Sequence, residues 1–351
     1  MTPAPSVTPA TVLALSPNWL GDAVMALPAI ADVRRRYPTA RLVVGARPGV
    51  ADLFRLVPAL VDEVVVLAWR GQLWARRALA GDADRLRATG AGLAILFPNS
   101  FASAVLARRS GIAERWGYGA DLRGRLLTRA VPRPKGRLHQ AEYYQHLTHA
   151  LGLESGPLEP EVTVPAAAMA AARELLATRG WNGRSPLVTL APGAAYGKAK
   201  QWLPAHVVQV VTSLVRDHAT TCVLVGGRGD KPTTAAIRAA VPSPEVDRVI
   251  DLAGETSLDL LAAVLAVSQA CVVNDSGAMH VAAAVGAPVV ALFGPTIVEA
   301  TRPLTRSGGR AEVLTHRVWC RPCMLRECPI DHRCMTGITP DRVLATLEAM
   351  R

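Results

Sequence analysis

Short apolar runs alternate along this chain with longer stretches in which apolar residues recur every three or four positions. Residues 11–15, 41–46, 61–67, 93–97, 187–191, 221–225, 249–252, 271–273 and 289–293 read as strands. Helical spacing covers 50–56, 73–89, the stretch from Phe101, 139 to about 151, 166–179, 259–267 and 341–350. After the first strand, Leu20, Val24, Leu27 and Ala31 share one helical face. Strand–helix alternation predicts an α/β fold with parallel sheets covered by helices on both faces. Two such series follow one another. The Pro-, Glu- and Gly-rich segment 152–165 separates them as a linker. The predicted organisation is a first Rossmann-like domain over 1–155, a second over 156–335, and a final helix over 336–351 that packs back on the first domain. Residues 1–10 read as a frayed tail.

Composition adds two constraints. The chain has 351 residues, half of them hydrophobic, enough for two packed cores. No apolar run is long enough to span a bilayer, and the N-terminus lacks a basic, then apolar, leader pattern, so the reading is a cytoplasmic protein. The net charge of +11 is unevenly spread. Residues 1–150 hold 20 Lys and Arg against 10 Asp and Glu, and the remainder holds 19 against 18. The first half is therefore expected to meet an anionic partner, unless the excess is only a compositional bias toward arginine. Sparse aromatics and the lack of any nucleic-acid-binding motif argue against nucleic acid. An acidic membrane surface and a phosphorylated substrate remain.

Candidate chemistry gathers where strands run into helices. In 271–293 a strand enters Asn274-Asp275-Ser276-Gly277, and a helix follows, ended by Gly286 before the next strand. Asp275 and Ser276 suit a helix N-cap, Gly277 allows close backbone approach, and His280 falls on the helix's first turn with Ser276. A helix N-terminus at the carboxyl edge of a parallel sheet attracts anions. After the strand at 187–191 comes Pro192-Gly193-Ala194-Ala195-Tyr196-Gly197-Lys198-Ala199-Lys200-Gln201-Trp202. It is either a diphosphate cradle or an ordinary βα loop, and its spacing is not that of a P-loop. Gly226 to Asp230 is a second glycine cluster after a strand. Asp22, after the first strand, is either an N-terminal helix residue or a carboxylate placed where such sheets hold ligands. Residues 108–137 carry nine Arg and Lys, including Arg123 and Arg125, and read as a solvated loop or an anion-facing rim. Cys222 and Cys271 lie in apolar runs and read as core. Cys320, Cys323, Cys328 and Cys334 have ligand chemistry for zinc, although their spacing is not a repeated C-x-x-C.

D-S-G-x-x-H followed by A-x-x-x-G-x-P-x-x-x-L-F-G-P-T, at 275–296, resembles glycosyltransferase family 9, the heptosyltransferases. N-x-x-G-D with A-L-P-A-I near the N-terminus and L-A-G-x-T-S-L at 252–258 are similar to the same family. P-G-A-x-Y-G-x-A-K-x-W and the Cys-rich tail resemble its heptosyltransferase II subgroup. The resemblance implies a GT-B architecture, two Rossmann-like domains with their sheets facing a cleft. It implies inverting, metal-independent transfer of heptose from ADP-heptose to a heptosylated Kdo–lipid A core in lipopolysaccharide synthesis, with no cofactor. Asp22 is then the general base. Gly193, Lys200, Asp230, Asp275, Ser276, Gly277 and His280 then bind the donor. Arg123, Arg125 and His139 fall on the acceptor side, which would meet the cytoplasmic face of the inner membrane peripherally. Asp82-Ala83-Asp84 matches the D-x-D of metal-dependent glycosyltransferases but lies within a helical pattern and reads as coincidence. The alternatives are another glycan acceptor, a nucleotide-sugar epimerase or hydrolase of the same fold, and a non-catalytic nucleotide-binding protein.

Overall fold

The computed structural model describes residues 9–72, 74–306 and 308–350. Most of the N-terminal tail and Leu73, at the start of one expected helix, lie outside the described residues. The chain forms two compact units that divide after Pro160.

In the first unit, strands β1 (Thr11–Leu15), β2 (Arg41–Ala46), β3 (Glu63–Val66), β4 (Leu93–Leu96), β5 (Glu114–Tyr118) and β6 (Arg129–Val131) form one sheet in the order β3-β2-β1-β4-β5-β6. Every pairing is parallel. The second unit repeats the plan with β7 (Leu187–Ala191), β8 (Thr221–Leu224), β9 (Val249–Asp251), β10 (Ala270–Asn274), β11 (Val289–Phe293) and β12 (Ala311–Thr315), ordered β12-β11-β10-β7-β8-β9. Its pairings are parallel as well. Central strands are buried on both faces, which is why they appear in the sequence as unbroken apolar runs rather than alternating ones. Cys222 and Cys271 are fully buried in β8 and β10, and burial pushes both thiols up to about 12.

This strand order has one consequence for function. The order reverses between β1 and β4 in the first sheet and between β7 and β10 in the second. Loops leaving the carboxyl ends of those strands diverge there and leave a crevice for ligands.

The run 108–137 departs from expectation. It holds β5 and β6 as well as loops. The polar residues hid the strands because the arginines satisfy the backbone of the edge they lie in. Arg115 donates to the carbonyls of Leu126, Ile112 and Ala113, and Arg129 stacks over the Trp116 ring. β12 has a partly exposed, mixed pattern and carried no strand signal.

Helix Leu20–Arg36, which carries Asp22, is fixed against helix Gln140–Ala150 by a buried carboxylate. Asp32 accepts from Thr148 Oγ1 at 3.0 Å and from the Gly156 N–H at 2.9 Å, and pairs with Arg35. In the second unit the last helix, Pro340–Ala349, packs on helix Pro204–His218, and Trp202 Nε1 donates to the Ile338 carbonyl at 2.9 Å. No helix among the described residues is long and apolar enough to cross a membrane.

Candidate active site

In the second unit the loops after β7 and β10 meet at the switch point. Lys200 Nζ lies 2.6 Å from Asp275 Oδ2, with both side chains nearly buried. The same carboxylate accepts from Thr296 Oγ1 at 2.6 Å and from Thr301 Oγ1 at 3.4 Å. Asn274, the last residue of β10, locks the two loops together. Its Nδ2 donates to the Pro192 carbonyl at 2.7 Å, and its Oδ1 accepts the Trp202 N–H at 3.2 Å.

Ser276 takes the N-cap position of helix Gly277–Val285 in extended conformation. An N-cap hydroxyl usually accepts from a backbone N–H of the first turn. Here it makes no such bond, and Ser276 Oγ is buried without a partner among the described residues. A buried unpaired hydroxyl costs free energy unless something else satisfies it. It sits at the positive end of a helix, next to Asp275, whose carboxylate holds Lys200 of the neighbouring loop. That is an environment for an anion with hydrogen-bonding oxygens. His280 is buried one turn further along the same helix, and Gly286 ends that helix in left-handed conformation.

Asp230 and Gly193 also come together. A Cβ on Gly193 would lie 2.3 Å from Asp230 Oδ1, so only glycine lets the two loops approach this closely. Asp230 Oδ2 meanwhile accepts the Gly227 N–H at 2.8 Å.

The loop 192–202 is braced from an unexpected direction. A Cβ on Gly197 would lie 2.4 Å from the carbonyl oxygen of Arg326, and the Ala199 N–H donates to that oxygen at 2.9 Å. Tyr196 donates to the Met324 carbonyl at 2.7 Å, and Lys200 and Arg326 flank its ring. His332 Nε2 lies 2.7 Å from the Ala199 carbonyl oxygen. The Cys-rich segment therefore braces the loop that carries Lys200. Its four cysteines are free thiols lining one small cavity, and burial together with the neighbouring thiols raises the Cys334 pKa. Among the described residues no three His, Cys, Asp or Glu side chains are placed to hold a metal ion. Sequence reasoning placed Tyr196 in this loop and missed the contacts that Met324 and Arg326 of the Cys-rich segment make with it.

In the first unit Asp22 stands in the first turn of its helix, at the β1 side of the switch point. Tyr144 donates to Asp22 Oδ1 at 3.4 Å. Burial, then the adjacent Asp22 charge, holds the Tyr144 phenol well above its ordinary range, so it stays protonated as a donor. On the β4 side, Arg123 is fully buried rather than on the rim. Its Nε donates to the Tyr118 carbonyl at 2.9 Å, and its Nη1 reaches the Pro98 carbonyl and Ser103 Oγ. Burial lowers its pKa to about 10, which leaves it charged at neutral pH. Arg123 Nη2 and Asn99 Oδ1 are buried without partners among the described residues. Arg123 thus shapes the Pro98–Ser103 turn. His139 is buried as the N-cap of helix Gln140–Ala150, accepting the Ala141 N–H at Nδ1 in a capping box with Glu142. Arg125 is exposed. Asp82 is spent on structure. It accepts from the N–H groups of Ala68 and Trp69 and pairs with Arg85.

A cavity of about 550 Å³ lies elsewhere, beside edge strand β9. Part of its charged lining is self-paired, with Glu255 2.8 Å from Arg179 and 3.7 Å from Lys231.

The family model for glycosyltransferase family 9 (heptosyltransferase) matches residues 82–333, from the helix after β3 to the Cys-rich segment. The chain belongs to glycosyltransferase family 9. It is a glycosyltransferase of two parallel-sheet units, and its similarity runs well beyond the matched segment. It is 29% identical to lipopolysaccharide heptosyltransferase 2 of Escherichia coli, over 97% of this chain and 98% of that one. It is 28% identical to lipooligosaccharide heptosyltransferase 2 of Haemophilus influenzae, over 84% and 86%. The solved structure of the E. coli ADP-heptose heptosyltransferase II superposes with a TM-score of 0.83 at 28% identity, covering 97% of this chain and 98% of that one. A family 9 glycosyltransferase from Veillonella parvula shares the fold, with a TM-score of 0.82 at 18% identity over 98% and 97%. The GT-B expectation for this family 9 chain agrees with these neighbours.

Proposed function

We propose that the chain transfers heptose from ADP-heptose to the heptosylated Kdo–lipid A core in lipopolysaccharide synthesis. It does so by inversion, without a metal, as a peripheral protein at the cytoplasmic face of the inner membrane. The observation that carries this reading is the group at the second switch point: Lys200 held by Asp275, beside the orphaned Ser276 hydroxyl at a helix N-terminus. Relatives named heptosyltransferase 2 over nearly the whole chain supply the sugar and the acceptor class.

Lys200, the Gly193 loop, Ser276 Oγ and the N–H groups opening helix Gly277–Val285 bind the diphosphate. Negative charge grows there as the glycosidic bond breaks, so these donors stabilise the transition state more than the ground state. They supply the positive charge that a divalent ion supplies in metal-dependent transferases. Asp275 and His280 contact the sugar or the phosphate nearest it, and Asp230 contacts the ribose. Asp22, steadied by the Tyr144 hydroxyl, takes the proton from the acceptor hydroxyl as that oxygen attacks the anomeric carbon. ADP leaves from the opposite side, and the anomeric configuration inverts.

Proton NMR of the isolated product checks this course. Single displacement predicts an anomeric configuration opposite to that of the donor. A retained configuration would remove the general-base role from Asp22.

A further inference from the structure

Among the described residues, the large exposed apolar side chains of the first unit are Trp19, Val66, Trp74, Phe101 and Leu122. All five sit at or just beyond the carboxyl ends of parallel strands. Trp19 follows β1, Val66 closes β3 with Trp74 in the loop after it, Phe101 follows β4 and Leu122 follows β5. Parallel pairing puts these ends on one edge of the sheet. Loops from β1 to β4 join around a small pocket that touches Asn18, Arg47, Gly71, Ser100 and Ala102, next in sequence to Trp19 and Phe101. Trp74 is 84% exposed and Leu122 is 96% exposed. Leu122 and its neighbour Asp121 both have left-handed backbone, which is uncommon for a branched side chain and holds this leucine out on a tight turn.

Charge on the same edge is one-sided. Arg70, Arg76 and Arg77 are exposed in and after the β3 loop, and Arg133, Lys135 and Arg137 are exposed after β6. The exposed carboxylate among these loops, Asp121, is paired with Arg133 at 3.2 Å. The opposite edge differs. Its arginines, at the helix ends and strand starts before β2 to β5, mostly pair with carboxylates: Arg34 with Asp62, Arg35 with Asp32, Arg41 with Glu63, Arg55 with Asp52 and Arg87 with Asp84. Ordinary solubility requirements would not place every exposed aromatic of the first unit on one edge beside these cations. Tryptophan beside basic residues is the composition that partitions into an anionic bilayer interface, with rings at headgroup depth and guanidinium groups on lipid phosphates.

We propose that the carboxyl-edge loops of the first sheet are a docking face for an anionic lipid bilayer, with Trp74 and Leu122 as the inserting tips and the flanking arginines as the electrostatic contact. This goes beyond the peripheral location proposed above by fixing the face and the residues. It rests on that reading only for placing the acceptor side toward the membrane. The attraction to anionic lipid should weaken with salt.

The test is co-sedimentation of the full chain with vesicles of phosphatidylethanolamine and phosphatidylglycerol, and with phosphatidylcholine alone. Binding is expected on the first and not the second. The double variant Trp74→Ser, Leu122→Ser should lower partitioning by about ten-fold or more, given the apolar area withdrawn from the interface. Trp319→Ser, which removes an aromatic of the second unit that is 77% exposed, should leave it unchanged. No binding to anionic vesicles, equal binding to both compositions, or equal loss in the Trp319 variant would overturn the proposal. Transfer to a delipidated, water-soluble acceptor is measured in parallel and should be the same for wild type and double variant. If wild type fails there, the transferase reading has failed, while the vesicle result still decides the docking face.

Discussion

Asp22→Asn should abolish most sugar transfer while leaving the protein folded. Loss of a positioned general base costs about 10²–10⁴-fold in kcat. The KM for ADP-heptose should stay within about two-fold, because the change removes an interaction made in the transition state rather than donor binding. Asparagine is the discriminating substitution. Its Oδ1 can still accept the Tyr144 hydroxyl, so helices Leu20–Arg36 and Gln140–Ala150 keep their contact and the melting temperature should not move. Steady-state kinetics beside a thermal melt reads both. A variant that melts normally and transfers at the wild-type rate would show that Asp22 is only a residue of the helix's first turn.

Lys200→Ala is the second large effect, and it acts on rate and stability together. Removing a cation that faces developing phosphate charge should lower kcat/KM by about 10²–10³-fold, in the range found for a lost oxyanion donor. Asp275 is meanwhile left buried with two threonine hydroxyls and no ammonium. Breaking one side of a buried ion pair costs about 3–5 kcal/mol. The double variant Lys200→Ala, Asp275→Asn separates the two roles. Removing the stranded charge should recover most of the stability and none of the activity. If the double variant regained transfer, Lys200 would be serving only to neutralise Asp275.

The sequence made some of this legible and hid other parts, for physical reasons. Central strands such as Thr11–Leu15, Leu187–Ala191 and Val289–Phe293 are buried on both faces, so their apolar runs marked them to the residue. Gly286 marked the end of its helix because the left-handed position there favours glycine. β5 and β6 were obscured because arginines at a sheet edge bury their stems and spend their charges on carbonyls, which in sequence looks like a solvated loop. Charge also misdirected the reading of Arg123, since a charged residue in a basic run suggests a rim and this one lies inside with carbonyl partners. Motif spacing placed Lys200 and Asp275 on separate loops 75 residues apart, and spacing alone could not show that they pair. The bracing of Tyr196 and Gly197 by Met324 and Arg326 is a long-range contact with no local signature.

The most direct test is ADP release from ADP-heptose in the presence of EDTA, with and without heptosylated Kdo–lipid A. The account predicts ADP only when the acceptor is present, in step with heptose appearing on the acceptor. ADP released equally without acceptor would mean a hydrolase. Release that EDTA abolishes would contradict the assignment of phosphate stabilisation to Lys200, Ser276 and the helix N-terminus.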